Sequence, residues 1–103
     1  MEYEQAQLII LDYAMDLSIP KYIATKHDVE IVSFSKWAVE ELLQELKKKR
    51  SISPADAVKD FSDRMVKYAA KHSDFSSVFS IAYCVASDIY EILYDMERKE
   101  RTI

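Results

Sequence analysis

The chain of 103 residues contains no glycine, two prolines and a single cysteine. Glycine supplies the positive φ angles that tight hairpins, β-bulges and phosphate-binding loops require. Its absence excludes the glycine-rich loops that hold nucleotide phosphates, and it makes antiparallel hairpins difficult to close. Helices joined by serine, aspartate and proline turns remain. The composition therefore predicts an all-α fold.

Cysteine content and apolar run length bear on the cellular compartment. Cys84 has no second cysteine to pair with, so nothing indicates an oxidising compartment. The longest apolar runs, 8–11 and 81–86, are far shorter than the ~20 residues of a membrane-spanning helix. The first four residues include two acids, Glu2 and Glu4, and no base, whereas a signal peptide begins with basic residues. We expect a cytoplasmic protein without membrane contact, folded as one helical domain over residues 1–103.

Apolar residues recur at helical spacing in four segments, which predicts a compact bundle of four main helices. The predicted helices cover about 2–17, 34–50, 54–72 and 75–98, with a structured connector at 19–32 and frayed residues at 98–103. In the first helix, Leu8, Leu11 and Met15 are expected to widen the apolar face. In the connector, the run Val29-Glu30-Ile31-Val32 favours an extended conformation because β-branched residues suit strands.

The third and fourth helices carry the clearest local signals. Ser53 is the expected N-cap of the third helix, with Pro54 at its first position and Asp56 at its third. The fourth helix has two apolar seams, which predicts that neighbours pack on two of its sides and that it is the central helix. These seams are Val78, Ala82, Val85, Ile89, Ile92 and Met96, and Phe79, Tyr83, Ala86, Tyr90 and Leu93.

No residue pattern points to catalysis, a cofactor or a metal. His27, placed in the connector, and His72 lack the Glu-x-x-His or i,i+4 spacing of a metal site in a helical bundle. Cys84 has no cationic neighbour within a helical turn, so we expect a buried and inert thiol. The sequence therefore predicts a protein that is not an enzyme.

Acidic residues form two stripes at helical spacing. On the third helix, Asp60 and Asp63 precede Arg64 and Lys67 by four residues, a spacing typical of ion pairs on a solvated face. On the fourth helix, the stripe Asp88, Glu91 and Asp95 has no interleaved base before Arg98. This second stripe is the better candidate for contact with a basic partner.

Charge is unevenly distributed along the chain. The net charge is −6 over residues 1–46, +5 over 47–71 and −3 over 72–103. The basic middle supports an alternative function, a nucleic-acid-binding regulator. Its candidate residues are Lys47, Lys48, Lys49, Arg50, Lys59, Arg64 and Lys67. Acids in the first turns of the third helix, Asp56, Asp60 and Asp63, oppose this alternative because a recognition helix approaches phosphates there.

The main functional hypothesis is a non-enzymatic protein-interaction module, which acts as an adaptor, a regulator or a small acidic inhibitor. One concrete form is an anti-CRISPR-like inhibitor whose carboxylates occupy the basic groove of a nucleic-acid enzyme. Trp37 lies nearly opposite Leu42 and Leu46 on the helical wheel, so it is either covered by the connector or exposed as a partner anchor. The candidate partner-binding residues are Trp37, Asp88, Tyr90, Glu91, Tyr94 and Asp95.

A homodimer is a further possibility. We expect Tyr90, Leu93, Tyr94 and Met96 to form the part of the fourth helix that its neighbours leave uncovered. Exposed apolar patches on small proteins commonly mark interfaces, and two-fold dimers are the commonest closed assembly. The alternative is that the first helix or the connector covers this surface.

Overall fold

Four segments with helical periodicity form four α-helices in the computed structural model, which describes residues 1–18 and 26–101. The helices are α1 (Tyr3–Ser18), α2 (Lys26–Lys48), α3 (Pro54–Lys71) and α4 (Ser76–Arg101), and a short 3-10 turn covers Ser73–Phe75. The described residues include no strand. The predicted all-α bundle of four main helices is therefore confirmed.

The second helix begins earlier than the sequence predicted. Residues 26–32, assigned to the connector, form the first two turns of α2, and residues 19–25 of that connector lie outside the described residues. Val32, Ser35 and Val39 are half-buried or buried at 3-4 spacing, and the same seam continues to Leu42 and Leu46. Because this face packs on the core, packing outweighs the weak strand preference of the β-branched residues.

The fourth helix contacts all three other helices, most extensively α3, but α2 also contacts all three, so the central position predicted for α4 is shared with α2. The buried apolar residues of α4 are Ala82, Val85, Ala86, Ile89 and Leu93. Two members of the predicted seams, Tyr83 and Ile92, are 41% and 42% exposed. The two seams thus merge into one buried strip, and their outer members lie at its edges.

The fourth helix extends three residues past the predicted end, to Arg101, and the expected fraying of residues 98–103 remains a prediction. Two contacts hold this end against the bundle. Glu97 accepts a hydrogen bond from the backbone N–H of Ala55, and the amino group of Met1 lies 2.7 Å from Glu100 Oε2. These contacts also show that α1 and α3 both run antiparallel to α4.

The core of the described residues is one apolar cluster to which all four helices contribute. Ile10, Leu42, Leu46, Val58, Ile89 and Leu93 are its largest fully buried side chains. The predicted broad apolar face of α1 is narrower in the structure. Leu8 and Met15 are 63% and 64% exposed, and Leu11 is also exposed, because only the strip around Ala6 and Ile10 faces the core.

The start of α3 follows the prediction. Ser53 has an extended backbone, and its hydroxyl accepts a hydrogen bond from the N–H of Asp56 at 3.2 Å. Pro54 occupies the first turn, where its missing N–H costs nothing. A local sequence signal therefore fixes the point at which α3 begins.

One segment of the described residues, Ser73–Arg101, is long and apolar enough to cross a membrane by length and composition alone. The core helix of a soluble protein meets the same criterion. In this bundle, the apolar strip of α4 packs on the other three helices. The absence of membrane contact and the cytoplasmic location remain predictions.

Candidate binding groove

Four aromatic side chains meet where the start of α4 crosses α2 and α3. The Phe79 ring contacts Trp37 edge-to-face, with centroids 6.3 Å apart, and it contacts Tyr68 and His72 at 5.5 and 6.1 Å. Trp37 comes from α2, Tyr68 from the last turns of α3, and His72 is the C-cap of α3. Trp37 is half-buried against Phe79, which explains why it departs from the main apolar face of α2.

These rings line one end of a groove of about 350 Å³ between α2 and α3. Phe61 and Met65 form its buried floor. On α2, the lining residues Trp37, Glu41, Glu45 and Lys48 follow one another at 4-4-3 spacing, so they lie along one face of the helix. The groove therefore has an aromatic end near Trp37 and a charged end near Lys48.

The charged end contains a network centred on Glu45. The Glu45 side chain is only 10% exposed, and its Oε1 lies 2.8 Å from Lys49 Nζ and 2.5 Å from Arg64 Nη2. Lys49 also donates to Asp60 Oδ2 at 2.7 Å. Burial pushes the pKa of Glu45 upward, but contacts with Lys49 and Arg64 outweigh burial, so the pKa lies below its usual value. The hydrogen bond from Lys49 likewise lowers the pKa of Asp60.

The predicted ion pair between Asp60 and Arg64 within α3 is wrong. Asp60 bonds to Lys49, and Arg64 bonds to Glu45, so both side chains reach across to α2 or its end. Because α2 and α3 pack closely, each of these side chains pairs with a residue across the helix contact and not with the residue one turn away on α3. Arg64 Nε is buried and has no hydrogen-bond acceptor in the described part of the chain. Burial keeps this nitrogen away from solvent, so it is an unsatisfied donor in the contact between α2 and α3.

The basic residues predicted to bind nucleic acid do not form one free patch, because some of them contact other side chains of the chain. Lys49 and Arg64 belong to the Glu45 network, and the Arg50 guanidinium lies 4.2 Å above the Tyr3 ring. The other four candidates, Lys47, Lys48, Lys59 and Lys67, are exposed on α2 and α3. Since three of the seven bases already contact other side chains of the chain, this geometry favours nucleic-acid binding less than the sequence did.

The six predicted partner-binding residues lie on two separate surfaces. Trp37 belongs to the groove and contacts Phe79 of α4. Asp88 follows Phe79 by nine residues on α4, so it lies about 14 Å from Phe79 along the helix axis and on a different face. A site that combines Trp37 with the residues of the acidic stripe is therefore not formed within one chain.

On the α4 surface, several side chains already have partners. Asp88 accepts a hydrogen bond from the Tyr13 hydroxyl at 3.1 Å, and Asp95 pairs with Arg98 at 3.2 Å. The Tyr90 and Tyr94 rings lie 5.6 Å apart, with Tyr90 half-buried and Tyr94 47% exposed. Glu91 is exposed. Leu93 is fully buried, so the prediction that it lies on an uncovered surface is wrong.

Two further predictions, on the positions of Cys84 and His27, are wrong. Cys84 is exposed, not buried, because it lies on the side of α4 away from the buried strip. His27 lies in the first turn of α2, not in a connector. Within residues 1–18 and 26–101, no three histidine, cysteine, aspartate or glutamate residues are grouped closely enough to hold a metal ion.

Most of the groove is not predicted from the sequence. Trp37 and Arg64 were candidate site residues, but no pattern connected them with Tyr68, Phe79 or Glu45. The sequence contained one signal of the groove. The apolar seam of the third helix, which includes Phe61 and Met65, continues at 3-4 spacing through Tyr68 and His72 to the end of the helix. No known protein family model matches the chain, and neither curated proteins nor solved structures yielded a match.

Proposed function

We propose that this chain is a non-enzymatic protein-interaction module, and that the groove between α2 and α3 receives a side chain from a protein partner. The observation that carries the proposal is the aromatic end of the groove. There, Trp37 and Phe79 pack against the edge of the core and, with Tyr68, line a space open to solvent.

The composition of the groove supports this role. Tryptophan, tyrosine and arginine are enriched among the residues that contribute most binding energy at protein interfaces. The volume of about 350 Å³ falls in the ~300–1,000 Å³ range of clefts that bind small groups, and it accommodates one or two side chains. Met65 in the floor adds an unbranched side chain that adapts to different apolar groups.

The finer versions of this function rest on charge. The chain has a net charge of −4, and exposed Glu91 and Asp95 face solvent on α4. An adaptor, a regulator or an anti-CRISPR-like acidic inhibitor would use such a surface against a basic partner. In this view the groove is the primary contact and α4 adds a second.

The test is affinity capture from an extract of the native host with three forms of the chain. Tyr68→Ser removes a groove ring that is 37% exposed, and Tyr94→Ser removes a ring that is 47% exposed on the other surface. We expect a protein that the native chain and Tyr94→Ser retain and that Tyr68→Ser loses. Unchanged melting temperatures establish that both variants are folded.

If Tyr68→Ser retains the partner protein and Tyr94→Ser loses it, the partner does not bind the groove, and the contact lies on α4. If the native chain retains nothing beyond what a heat-unfolded sample retains, the interaction function itself is wrong.

A further inference from the structure

The outer face of α1 carries an apolar stripe that does not contribute to the core. Leu8, Leu11 and Met15 are 63%, 40% and 64% exposed, and they lie on the side of α1 opposite the fully buried Ala6 and Ile10. Residues three, four and seven apart share one face of a helix, so these three side chains lie in one row. Helix α1 therefore has an apolar strip on each of two opposite sides, and only the inner one is covered by the bundle.

The spacing of this outer stripe is that of a seam between two helices. Leu8, Leu11 and Met15 follow one another at 3-4 spacing, which is the a-d-a pattern of a heptad repeat. A second helix packs on such a seam at about 20° to the first, with its own apolar residues between those of the seam. Anchors at i, i+3 and i+7 are also those by which one protein presents a helix to another. The stripe thus favours a helical occupant.

The charge around the stripe is of one sign, whereas the acids and bases of the groove balance each other. Residues 1–18 contain four acids and no lysine or arginine. Glu4 and Asp12 lie one turn before and one turn after Leu8, and both are exposed. Within residues 1–18 and 26–101, neither carboxylate has a hydrogen-bond or ion-pair partner. The flanks of the stripe therefore attract positive charge.

We propose that the outer face of α1 binds a basic amphipathic helix of a protein partner. The apolar residues of that helix pack on Leu8, Leu11 and Met15, and lysine or arginine residues on its flanks face Glu4 and Asp12. The groove lies on other helices, between α2 and α3. This second surface goes beyond the proposed function and does not depend on the groove.

The same charges disfavour two other occupants of the stripe. A second copy of α1 would bring the Glu4 and Asp12 carboxylates of two chains together, and like charges across a helix interface are destabilising. A lipid surface binds helices whose polar face is rich in lysine and arginine, and anionic headgroups repel acids. A basic partner helix satisfies both the apolar stripe and the acids beside it.

The experiment uses two helical peptides of about 18 residues with leucine at every a and d position. Their e and g positions are lysine in one peptide and glutamate in the other. Each peptide carries a fluorescent label, and the anisotropy of the label measures binding to the full chain. We expect the lysine peptide to bind roughly threefold to tenfold more tightly, because solvent-accessible ion pairs replace repulsions at two carboxylates. Raising the salt concentration should narrow this difference.

Variants locate the site on α1. The double variant Leu8→Ser, Met15→Ser should weaken binding of the lysine peptide roughly tenfold or more, as for the removal of interface anchors. Val66→Ser is its control, because Val66 is 49% exposed on α3. Asp12→Asn should weaken binding roughly twofold, and Glu40→Gln, which removes an exposed acid from α2, should leave it unchanged. Unchanged melting temperatures establish that the variants are folded.

Each contrary outcome overturns a defined part of the inference. Equal binding of the two peptides would exclude the basic flanks, and native affinity in Leu8→Ser, Met15→Ser would place the contact away from the stripe. If light scattering shows that the chain self-associates and that this double variant is monomeric, the occupant is a second copy and not a basic partner helix. If neither peptide binds the native chain, the outer face of α1 is not a helix-binding surface. The comparison of Tyr68→Ser with Tyr94→Ser tests the groove separately in every case.

Discussion

Glu97 of α4 accepts a hydrogen bond from the backbone N–H of Ala55, 42 residues earlier, at 3.4 Å. Ala55 lies in the first turn of α3, where backbone N–H groups have no partner within the helix. A carboxylate at this position also interacts favourably with the helix dipole. The start of α3 is thus capped twice, by its own Ser53 and by a side chain from the end of α4.

We predict that Glu97→Ala destabilises the fold by about 1–3 kcal/mol, because it leaves a buried donor unsatisfied. For a domain of this size, each 1 kcal/mol lowers the melting temperature by roughly 4–8 °C. Thermal unfolding followed by circular dichroism measures the change. Glu91→Ala is the control on the same helix, since Glu91 is exposed and its loss should cost less than about 0.5 kcal/mol. Equal melting temperatures for both variants would contradict the capping role.

Removing the other cap of α3, Ser53, should destabilise the fold less than removing Glu97. Ser53→Ala removes the acceptor of the Asp56 N–H and should cost about 1 kcal/mol. Ser53→Asp keeps an acceptor oxygen at the same position and should restore most of that stability. Chemical denaturation of the three forms tests this order. A fully stable Ser53→Ala would mean that Glu97 alone is sufficient to cap α3.

These two caps show how far the sequence predicts the fold. The Ser53 cap was predictable because its donor is three residues away and its signal is local. The Glu97 cap was not, because its partner is distant in sequence and becomes a neighbour only when α3 and α4 pack. The same reason explains Asp60 and Arg64, whose predicted pairing considered neighbours within α3 alone.

The groove was even less accessible to sequence reasoning. Trp37 departs from the apolar face of α2 on the helical wheel, and in the structure it contacts Phe79 at the edge of the core. Phe79 lies at the start of another helix, and Tyr68 at the end of a third, so their meeting depends on the crossing of three helices. Leu8 and Met15 show the opposite error, since helical spacing alone does not reveal how narrow the contact strip is.

Glu45 should make the stability of the protein sensitive to acid. Its folded-state pKa lies below its usual value of 4.5, so its contribution is fully present above about pH 4.5 and is lost as the pH falls through the folded-state value. We predict that native stability exceeds that of Glu45→Gln at neutral pH and that the difference shrinks below pH 4.5. Denaturant unfolding at a series of pH values measures it.

The matched control for this prediction is Glu41→Gln, one turn earlier on the same face of α2 but exposed. It should change stability by less than about 0.5 kcal/mol across the series. A pH-independent difference between the native chain and Glu45→Gln would show that Glu45 acts through packing and not through charge.

Tyr13 provides a test at the alkaline end. Burial, together with the nearby Asp88 carboxylate that accepts its hydrogen bond, raises the pKa of Tyr13 to about 12. A raised tyrosine pKa stabilises the fold below about pH 10 and loses that effect as the pH rises toward 12. We predict a late step in the tyrosinate absorbance of the native chain. Tyr13→Phe should remove this step, and Asp88→Asn should shift it to lower pH. A late step that persists in Tyr13→Phe would assign it to another of the seven tyrosines.

The predicted homodimer depends on Tyr94, the most exposed of the apolar and aromatic residues proposed for that surface. Leu93 beside it is fully buried in the core of a single chain, so a second copy would contact Tyr94, the half-buried Tyr90 and the acidic residues around them. We predict a dimer by light scattering at high protein concentration. Tyr94→Lys should convert it into a folded monomer with an unchanged circular dichroism spectrum, because the new ammonium groups are desolvated and repel each other across a two-fold axis. Tyr83→Lys is the control on the same helix, since Tyr83 is 41% exposed and lies about three turns away. A monomeric native chain would exclude the dimer. A dimer that persists in Tyr94→Lys and dissociates in Tyr83→Lys would place the interface elsewhere on α4.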